Sequence, residues 1–144
     1  MNLSSLKKTV SDDQFFNDLK ILLRKCQLMS QSDKQAAIVF DIDGTLVYDG
    51  SWDKPIWSVI NFCNYCKDIG IATMIVTARG GWETNIEKTK QSLRDLGLSC
   101  DSFFFRKPDD HEIAKFKTNV RRYMNQATNF NVLISIGDNP WDMG

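Results

Sequence analysis

The amino-acid sequence predicts an α/β domain, in which a doubly wound parallel sheet of four or five strands has helices on both faces. Two observations predict this fold class. Short apolar runs alternate along the chain with segments whose apolar residues recur at helical spacing. The apolar runs are continuous, as expected for strands that are covered on both faces. Strands and helices that alternate in this way form a parallel sheet.

The bulk composition narrows the class of protein. A chain of 144 residues is expected to form one domain with a substantial core. Its 18 basic and 18 acidic residues cancel, which disfavours non-specific nucleic-acid binding, because that binding depends on neutralising phosphates. The four cysteines are sparse, and no apolar run approaches the length of a membrane span. With no recognisable leader peptide, we expect free thiols, a cytoplasmic location and no membrane partner.

The first helix follows a short arm. Residues 1–10 are polar and are expected to be a flexible arm, so the single domain extends over residues 11–144. Ser11 and Gln14 have the spacing of a capping box, in which each side chain bonds the backbone of the other. Apolar residues then recur at helical spacing as far as Cys26, which predicts a helix of about 18 residues.

The remaining elements alternate between strand and helix. Pro55 suits the first turn of a helix, and Gly70 suits the end of that helix. Ligands of such sheets bind beyond the carboxyl ends of the strands, so polar residues at those ends are candidates for a site. Strands are predicted at 36–40, 71–76, 102–105 and 131–136, helices at 55–70, 83–97 and 111–124, and a loop at 44–53.

Acidic residues converge on this edge of the predicted sheet. Asp41 and Asp43 directly follow the first strand and, being two residues apart, are expected to point to the same side. Thr77 follows the second strand, and Asp138 follows the fourth, with Asp142 as a further candidate. A single carboxylate between strand and helix is often a helix cap. Three at one edge repel one another, which favours a bound cation.

The cation that this cluster favours is Mg²⁺. Hard oxygen ligands without a nearby histidine suit Mg²⁺ better than zinc or copper. Because Mg²⁺ keeps several waters and is usually completed by a phosphate group, the predicted substrate is a phosphate ester.

At this point the sequence resembles a known family, the haloacid dehalogenase superfamily. Asp41-Ile42-Asp43-Gly44-Thr45 is similar to the first motif of that family, DxDGT. Ile75-Val76-Thr77 resembles the second motif, and the segment from Gly137 to Asp142 resembles the fourth, GDxxxD. The motifs occur in the family's order, and the resemblance covers residues 34–144. It implies a phosphatase with a Rossmann-like sheet.

The third motif of the family is a lysine, for which Lys107, Lys115 and Lys117 are candidates. The segment from Phe105 to Arg121 is similar to the class B-type acid phosphatase branch. In that branch, a strand that ends in Arg precedes a helix with an aromatic–lysine pair and an Arg four residues on. The resemblance therefore favours Lys117, with Lys115 as the alternative.

The resemblance implies a catalytic role for each motif residue. Asp41 would be the nucleophile that forms an aspartyl-phosphate, and Asp43 would be the general acid and base. Thr77 and Lys117 would bind the phosphoryl oxygens. Mg²⁺ would be held by Asp41, the backbone carbonyl of Asp43 and Asp138.

Neighbouring residues are secondary candidates. Asn139 and Asp142 are expected to act near the metal. Arg79 is expected to reach the phosphate, with a surface ion pair as an equal alternative. The predicted substrate contacts are Thr77, Ala78, Arg79 and Trp52.

Other notable side chains have a second interpretation. Trp52 and Trp82 flank the predicted site and could stack on a base or sugar, with ordinary packing as an equal alternative. For Trp57 we expect packing. Cys63 and Cys66 form a C-x-x-C within a predicted helix, where zinc would lack two ligands, so we expect ordinary burial.

The spacing of the motifs bears on the substrate. Only 31 residues separate Thr45 from Thr77, and the gap before Lys117 is also short. Neither gap holds a cap domain, so the active site should be open. A polynucleotide 3′-phosphatase, a phosphoprotein phosphatase and a small-molecule phosphatase all stay open, with nucleic acid only as a substrate. The alternative class is a non-catalytic phosphate-binding or interaction module, which the intact motifs disfavour.

The resemblance also implies a further helix and strand after the fourth motif. We therefore expect either a minimal version of the domain or a fragment of it. An uncovered sheet edge would favour a homo-oligomer.

Overall fold

The computed structural model describes residues 12–107 and 113–137 of the chain. The predicted arm and the cap residue Ser11 lie outside these residues. In the described part, helices and strands alternate, and one short 3₁₀ turn, Tyr48–Gly50, lies in the loop after the first strand. The elements are α1 Asp12–Met29, β1 Gln35–Phe40, α2 Trp57–Asp68, β2 Ala72–Gly80, α3 Glu83–Asp95, β3 Ser102–Arg106, α4 Ile113–Ala127 and β4 Phe130–Ile136.

The four described strands form one parallel sheet in the order β3-β2-β1-β4, which confirms the predicted fold class. β1 lies in the interior of the sheet and pairs with β2 on one side and β4 on the other. The backbone N–H of Asp41, one residue past β1, donates to the carbonyl of Ile136 at 3.0 Å. The ends of β1 and β4 therefore lie side by side at the carboxyl edge of the sheet.

Helices cover both faces of this sheet. On one face, Phe116 of α4 packs against Val39 and Met74. On the other face, Phe40 and Ile75 pack in the larger apolar cluster, which α1, α2 and Leu93 of α3 complete. Because neighbouring residues of β1 point to opposite faces and both faces are covered, its sequence is apolar without interruption from Ala36 to Phe40.

Several element boundaries differ from the prediction, and strand pairing explains two of these differences. α2 begins at Trp57 and not at Pro55, because Pro55 lies in an isolated antiparallel bridge with Val47. β2 continues past the predicted end at Val76 as far as Gly80, because the pairing with β3 extends to Arg106 across an irregularity in register.

The helices that precede β2 and β3 end as the sequence predicts. Gly70 follows α2 with φ 85°, and Gly97 follows α3 with φ 83°. Glycine adopts this left-handed conformation without steric strain, so it ends a helix readily. None of the helices in the described part of the chain combines the length and apolarity that a membrane span needs.

Candidate active site

A buried ion pair lies at the carboxyl edge of the sheet. The Nζ atom of Lys117, on α4, lies 3.0 Å from Oδ1 of Asp41, and the two side chains are only 2% and 7% exposed. Two charges removed from water are tolerated when they lie close together and are hydrogen-bonded. Lys115, two residues earlier on α4, is exposed. Of these two lysines, the structure therefore places Lys117 at the predicted nucleophile.

The second carboxylate has a cation of its own. Arg79 holds Asp43 with two bonds, from Nε to Oδ2 at 3.1 Å and from Nη2 to Oδ1 at 2.6 Å. Nη2 also donates to the carbonyl of Gly50 at 3.2 Å, and the guanidinium lies 4.7 Å from the ring centroid of Trp52. This pair is more exposed, at 20% for Arg79 and 42% for Asp43. Each carboxylate thus has a separate cation that offsets its charge.

The end of β2 positions Thr77 and Arg79 together. Thr77 is fully buried, and its Oγ1 accepts a hydrogen bond from the backbone N–H of Arg79 at 3.1 Å. Arg106 Nε donates to the carbonyl of Ala78 at 2.9 Å, which ties this segment to the end of β3. A hydroxyl that accepts one hydrogen bond still carries a donor hydrogen. Thr77 is therefore able to donate to an anion, which is the role that the resemblance implies for it.

A tight turn follows Asp43. Gly44 has φ 79°, and its N–H donates to the carbonyl of Val47 at 2.7 Å. The N–H groups of Leu46 and Val47 both donate hydrogen bonds to the carbonyl of Ile42. The hydroxyl of Thr45 is buried and has no hydrogen-bond partner among the described residues. Burying a hydroxyl without a hydrogen-bond partner costs free energy. The sequence analysis assigned no role to this polar group of the first motif.

The described residues contain part of the predicted metal site. Asp138, Asn139 and Asp142 lie outside them, although Gly137 follows directly on Ile136, whose carbonyl bonds Asp41. Within 12–107 and 113–137, no three His, Cys, Asp or Glu side chains are grouped to hold a metal ion. The donors that are described are the oxygens of Asp41 and Asp43, and oxygen donors of this kind suit Mg²⁺.

Sequence reasoning gave no functional role to Arg121, which lies four residues after Lys117 on α4. The structure buries its side chain almost completely. Residues four apart lie on the same face of a helix, so the spacing of Lys117 and Arg121 was the available signal. This face of α4 therefore carries two buried cations.

A small pocket next to the site was also not foreseen. It has a volume of about 130 Å³ and is lined by Gly80, Gly81, Trp82, Arg106 and Lys107. The Trp82 ring is 60% exposed and lies on Gly80, where a Cβ atom would come within 1.7 Å of the ring. Only glycine leaves room for the ring in this position.

The other tryptophans differ from each other. Trp52 is partly buried against the core and also faces the guanidinium of Arg79. Trp57, at the start of α2, is half exposed, so its side chain is only partly packed.

Two solved structures share the fold of this chain. The class C acid phosphatase from Bacillus anthracis superposes with a TM-score of 0.70 at 18% identity, over 92% of this chain and 63% of that one. The Pnkp1/Rnl/Hen1 RNA repair complex gives a TM-score of 0.64 at 17% identity, over 78% of this chain and 39% of that one. The chain thus spans less than two thirds of either matched chain.

No protein-family model matches the sequence, and no curated protein matches it. At the identities above, the structural likeness concerns the fold. It shows that these structures share the α/β fold of this chain, whereas the haloacid dehalogenase superfamily and its acid phosphatase branch stay predictions from the motifs.

Proposed function

We propose that this chain is a Mg²⁺-dependent phosphomonoester hydrolase that acts through an aspartyl-phosphate on Asp41. The buried contact between Asp41 and Lys117 is the observation that carries the proposal. An ammonium at 3.0 Å offsets the charge of the carboxylate and fixes its orientation, as a nucleophile at this position needs. A purely structural role would not need two charges to be buried at the edge where ligands of this fold bind.

The reaction uses the two carboxylates in turn. An oxygen of Asp41 attacks phosphorus, the bond from phosphorus to the ester oxygen breaks, and Asp43 gives a proton to the leaving oxygen. Asp43 then takes a proton from the water that attacks the aspartyl-phosphate, which releases phosphate and restores Asp41. Lys117 and the hydroxyl of Thr77 offset the charge on the phosphoryl oxygens.

In this scheme, Arg79 can bind either the carboxylate of Asp43 or the phosphate of the substrate. In the structure it binds Asp43, with both side chains partly exposed. An incoming phosphate offers the guanidinium a second bidentate partner, and the move from Asp43 to phosphate would leave Asp43 able to exchange its proton.

The residues that would hold the metal are Asp41, the backbone carbonyl of Asp43 and Asp138. When bound, Mg²⁺ supplies positive charge that reduces the repulsion between an anionic nucleophile and an anionic phosphate. The two described members of this set supply oxygen donors, in agreement with the preference of the ion.

A second candidate function, a polynucleotide 3′-phosphatase, is favoured by the pocket beside the site. Its lining combines an exposed Trp82 ring with Arg106 and Lys107, and proteins that bind single strands combine aromatic stacking with cationic side chains. The fold is shared with an RNA repair complex, which is consistent with this candidate. The zero net charge of the chain weighs mildly against it.

Hydrolysis of a generic aryl phosphate, with and without Mg²⁺, tests the main proposal. We expect wild-type turnover that requires Mg²⁺ and a loss of at least about a thousandfold in Asp41→Asn. Asp53→Asn is the matched control, because Asp53 is an exposed carboxylate in the same loop region. An unimpaired Asp41→Asn would refute the nucleophile assignment.

A panel of phosphate esters decides the substrate class. It should contain 3′-phosphorylated oligonucleotides, nucleotides, phosphopeptides and glycerol phosphate. A wild-type protein that binds phosphate but hydrolyses none of these esters would support the non-catalytic module instead.

A further inference from the structure

β3 lies at one side of the sheet, and no strand of the described residues pairs with its outer edge. The N–H of Asp101, directly before β3, donates to the carbonyl of Thr73 on β2 at 2.8 Å. Alternate residues of a parallel strand bond the same neighbour, so Phe103 and Phe105 also bond β2, in agreement with the register of the two strands. The N–H and the carbonyl of Phe104 therefore point outward.

The outer edge lacks the features that usually keep sheet edges apart. Edge strands of natural proteins often carry proline or a charge near the middle of the strand. β3 has three consecutive phenylalanines at its centre, and its charges lie only at the ends, at Asp101 before them and at Arg106 and Lys107 after them. Aromatic residues of this kind favour strand pairing.

The three phenylalanines place rings on both faces of β3. Phe103 and Phe105 lie on one face, with ring centroids 6.4 Å apart and an angle of 18° between the rings. Phe104 lies on the other face, where its ring meets the ring of Tyr123, on α4, with centroids 6.5 Å apart. The phenylalanines are only partly buried, and Tyr123 is 53% exposed. Aromatic surface is thus available on both faces of the edge.

A groove of about 470 Å³ lies beside this edge. Helix α4 contributes Phe116, Asn119, Val120 and Tyr123 to its lining, and none of these side chains carries a charge. A second strand and helix could therefore cover this wall without removing a charge from water.

The sequence of β3 is complementary to itself when two copies run antiparallel. In the register with Phe104 of one copy opposite Phe104 of the other, Phe103 of each copy lies opposite Phe105 of the other. The same register places Asp101 of each copy opposite Lys107 of the other, and both of these side chains are exposed. Aromatic pairs and pairs of opposite charge both stabilise neighbouring strands.

The direction of the backbone groups agrees with this register. In antiparallel strands, pairs that exchange two hydrogen bonds alternate with pairs that exchange none. The outward N–H and carbonyl of Phe104 can exchange both bonds with Phe104 of the second copy. A shift by one residue would place Phe104 opposite Phe103 or Phe105, whose backbone groups bond β2.

We propose that the outer edge of β3 is an interface between two copies of this chain, in which the two β3 strands pair antiparallel about Phe104. The four described strands of each copy then join in one continuous sheet with two-fold symmetry. Because opposite residues of paired strands share a face, α4 of both copies lies on the same side of the sheet and Tyr123 of each flanks the interface. Association of this kind does not depend on the proposed phosphatase activity.

Sedimentation equilibrium of the full chain, from low micromolar to millimolar concentration, tests the proposal. We expect the mass to rise with concentration from 16.5 kDa towards twice this value. Hydrogen exchange at both ends of the concentration range locates the interface. The N–H of Phe104 should exchange at least about tenfold more slowly in the concentrated protein, whereas the N–H of Phe103 should be protected at both concentrations because it bonds β2. A chain that stays monomeric, or a dimer that protects the N–H groups of β4 and not that of Phe104, would overturn the proposal.

Two variants change the edge and keep the bonds to β2. Ser102→Pro removes an outward N–H and places the proline ring where the second strand would lie, so dimerisation should be lost. Lys107→Glu brings two carboxylates together at each end of the pairing and should weaken dimerisation about tenfold. Lys25→Glu is the matched control, because it makes the same change of charge at an exposed position of α1 and should leave the dissociation constant unchanged.

A folded Ser102→Pro variant that dimerises like wild type, or equal dissociation constants for Lys107→Glu and Lys25→Glu, would overturn the proposal. The exchange of Phe104 in the wild-type protein decides the question if Ser102→Pro does not fold, because that measurement needs no substitution.

Discussion

Replacing Lys117 by Met removes one member of the buried ion pair and keeps most of the side-chain volume. Removing one partner of such a pair leaves the other charge in a site with little access to water, which costs about 3–5 kcal/mol of unfolding free energy. Asp41 and Lys117 fall in this class because their side chains are 7% and 2% exposed. At a urea m-value of about 2 kcal/mol/M, Lys117→Met should lower the unfolding midpoint by about 1.5–2.5 M.

A double-mutant cycle isolates the interaction itself. Asp41→Asn alone should also destabilise the protein, because it leaves the ammonium of Lys117 without its carboxylate partner. The double variant Asp41→Asn/Lys117→Met removes both charges, so its loss should be smaller than the sum of the single losses by about 1–3 kcal/mol. Urea unfolding followed by tryptophan fluorescence gives all three values.

The matched control for this cycle is Lys115→Met. Lys115 lies on the same helix but is exposed, so its replacement should change the unfolding free energy by no more than about 0.5 kcal/mol. Single losses that add within about 0.5 kcal/mol, or a Lys117→Met variant as stable as Lys115→Met, would refute the assignment of a strong buried pair.

Three further predictions concern the surroundings of this pair. Arg79→Gln should lower kcat/KM by about 10–100-fold but change the free energy of unfolding by less than about 1 kcal/mol, because the pair with Asp43 is partly exposed. The control is Arg94→Gln, at an exposed position. Equal activities of the two variants would contradict a role of Arg79 in binding phosphate. Trp82→Ala should lower kcat/KM about tenfold for a 3′-phosphorylated oligonucleotide and leave glycerol phosphate unaffected; equal losses would exclude base stacking. Burial raises the pKa of Cys66 from about 9 in the unfolded chain to about 12 in the folded state. The buried thiol therefore contributes fully to the free energy of unfolding below pH 9, and this contribution is lost as the pH rises towards 12. Between pH 9 and 10, wild type should therefore lose about 1 kcal/mol more stability than Cys66→Ala in urea unfolding, and parallel curves would refute this.

The sequence predicts the sheet well because burial on both faces leaves a direct trace in it. β1 is apolar at every position from Ala36 to Phe40, and neighbouring residues of that run enter different apolar clusters. Boundaries that depend on contacts between distant segments leave no such trace. Pro55 is held by a bridge to Val47, and the extension of β2 to Gly80 depends on pairing with Arg106.

In the candidate site, too, some features could be predicted from the sequence, whereas those that depend on contacts between distant segments could not. Asp41 and Thr77 could be placed together because both stand at strand ends, and the resemblance selected Lys117. The bond between Arg79 and Asp43 spans 36 residues, and nothing in the sequence indicated Arg79 as the partner of that carboxylate rather than of a phosphate.

The two cation–carboxylate pairs differ in burial, and the proposed reaction gives them different tasks. Between Asp41 and Lys117, little water screens the interaction, so the attraction is strong and fixes the carboxylate before a substrate arrives. Between Asp43 and Arg79, water and salt screen the attraction, so a phosphate can compete for the guanidinium at small cost. Trp52 lies against the guanidinium and limits where it can turn. In the proposed reaction, the acid/base carboxylate changes its protonation state in every cycle and the nucleophile does not, which agrees with a more exposed pair at Asp43 and a buried pair at Asp41.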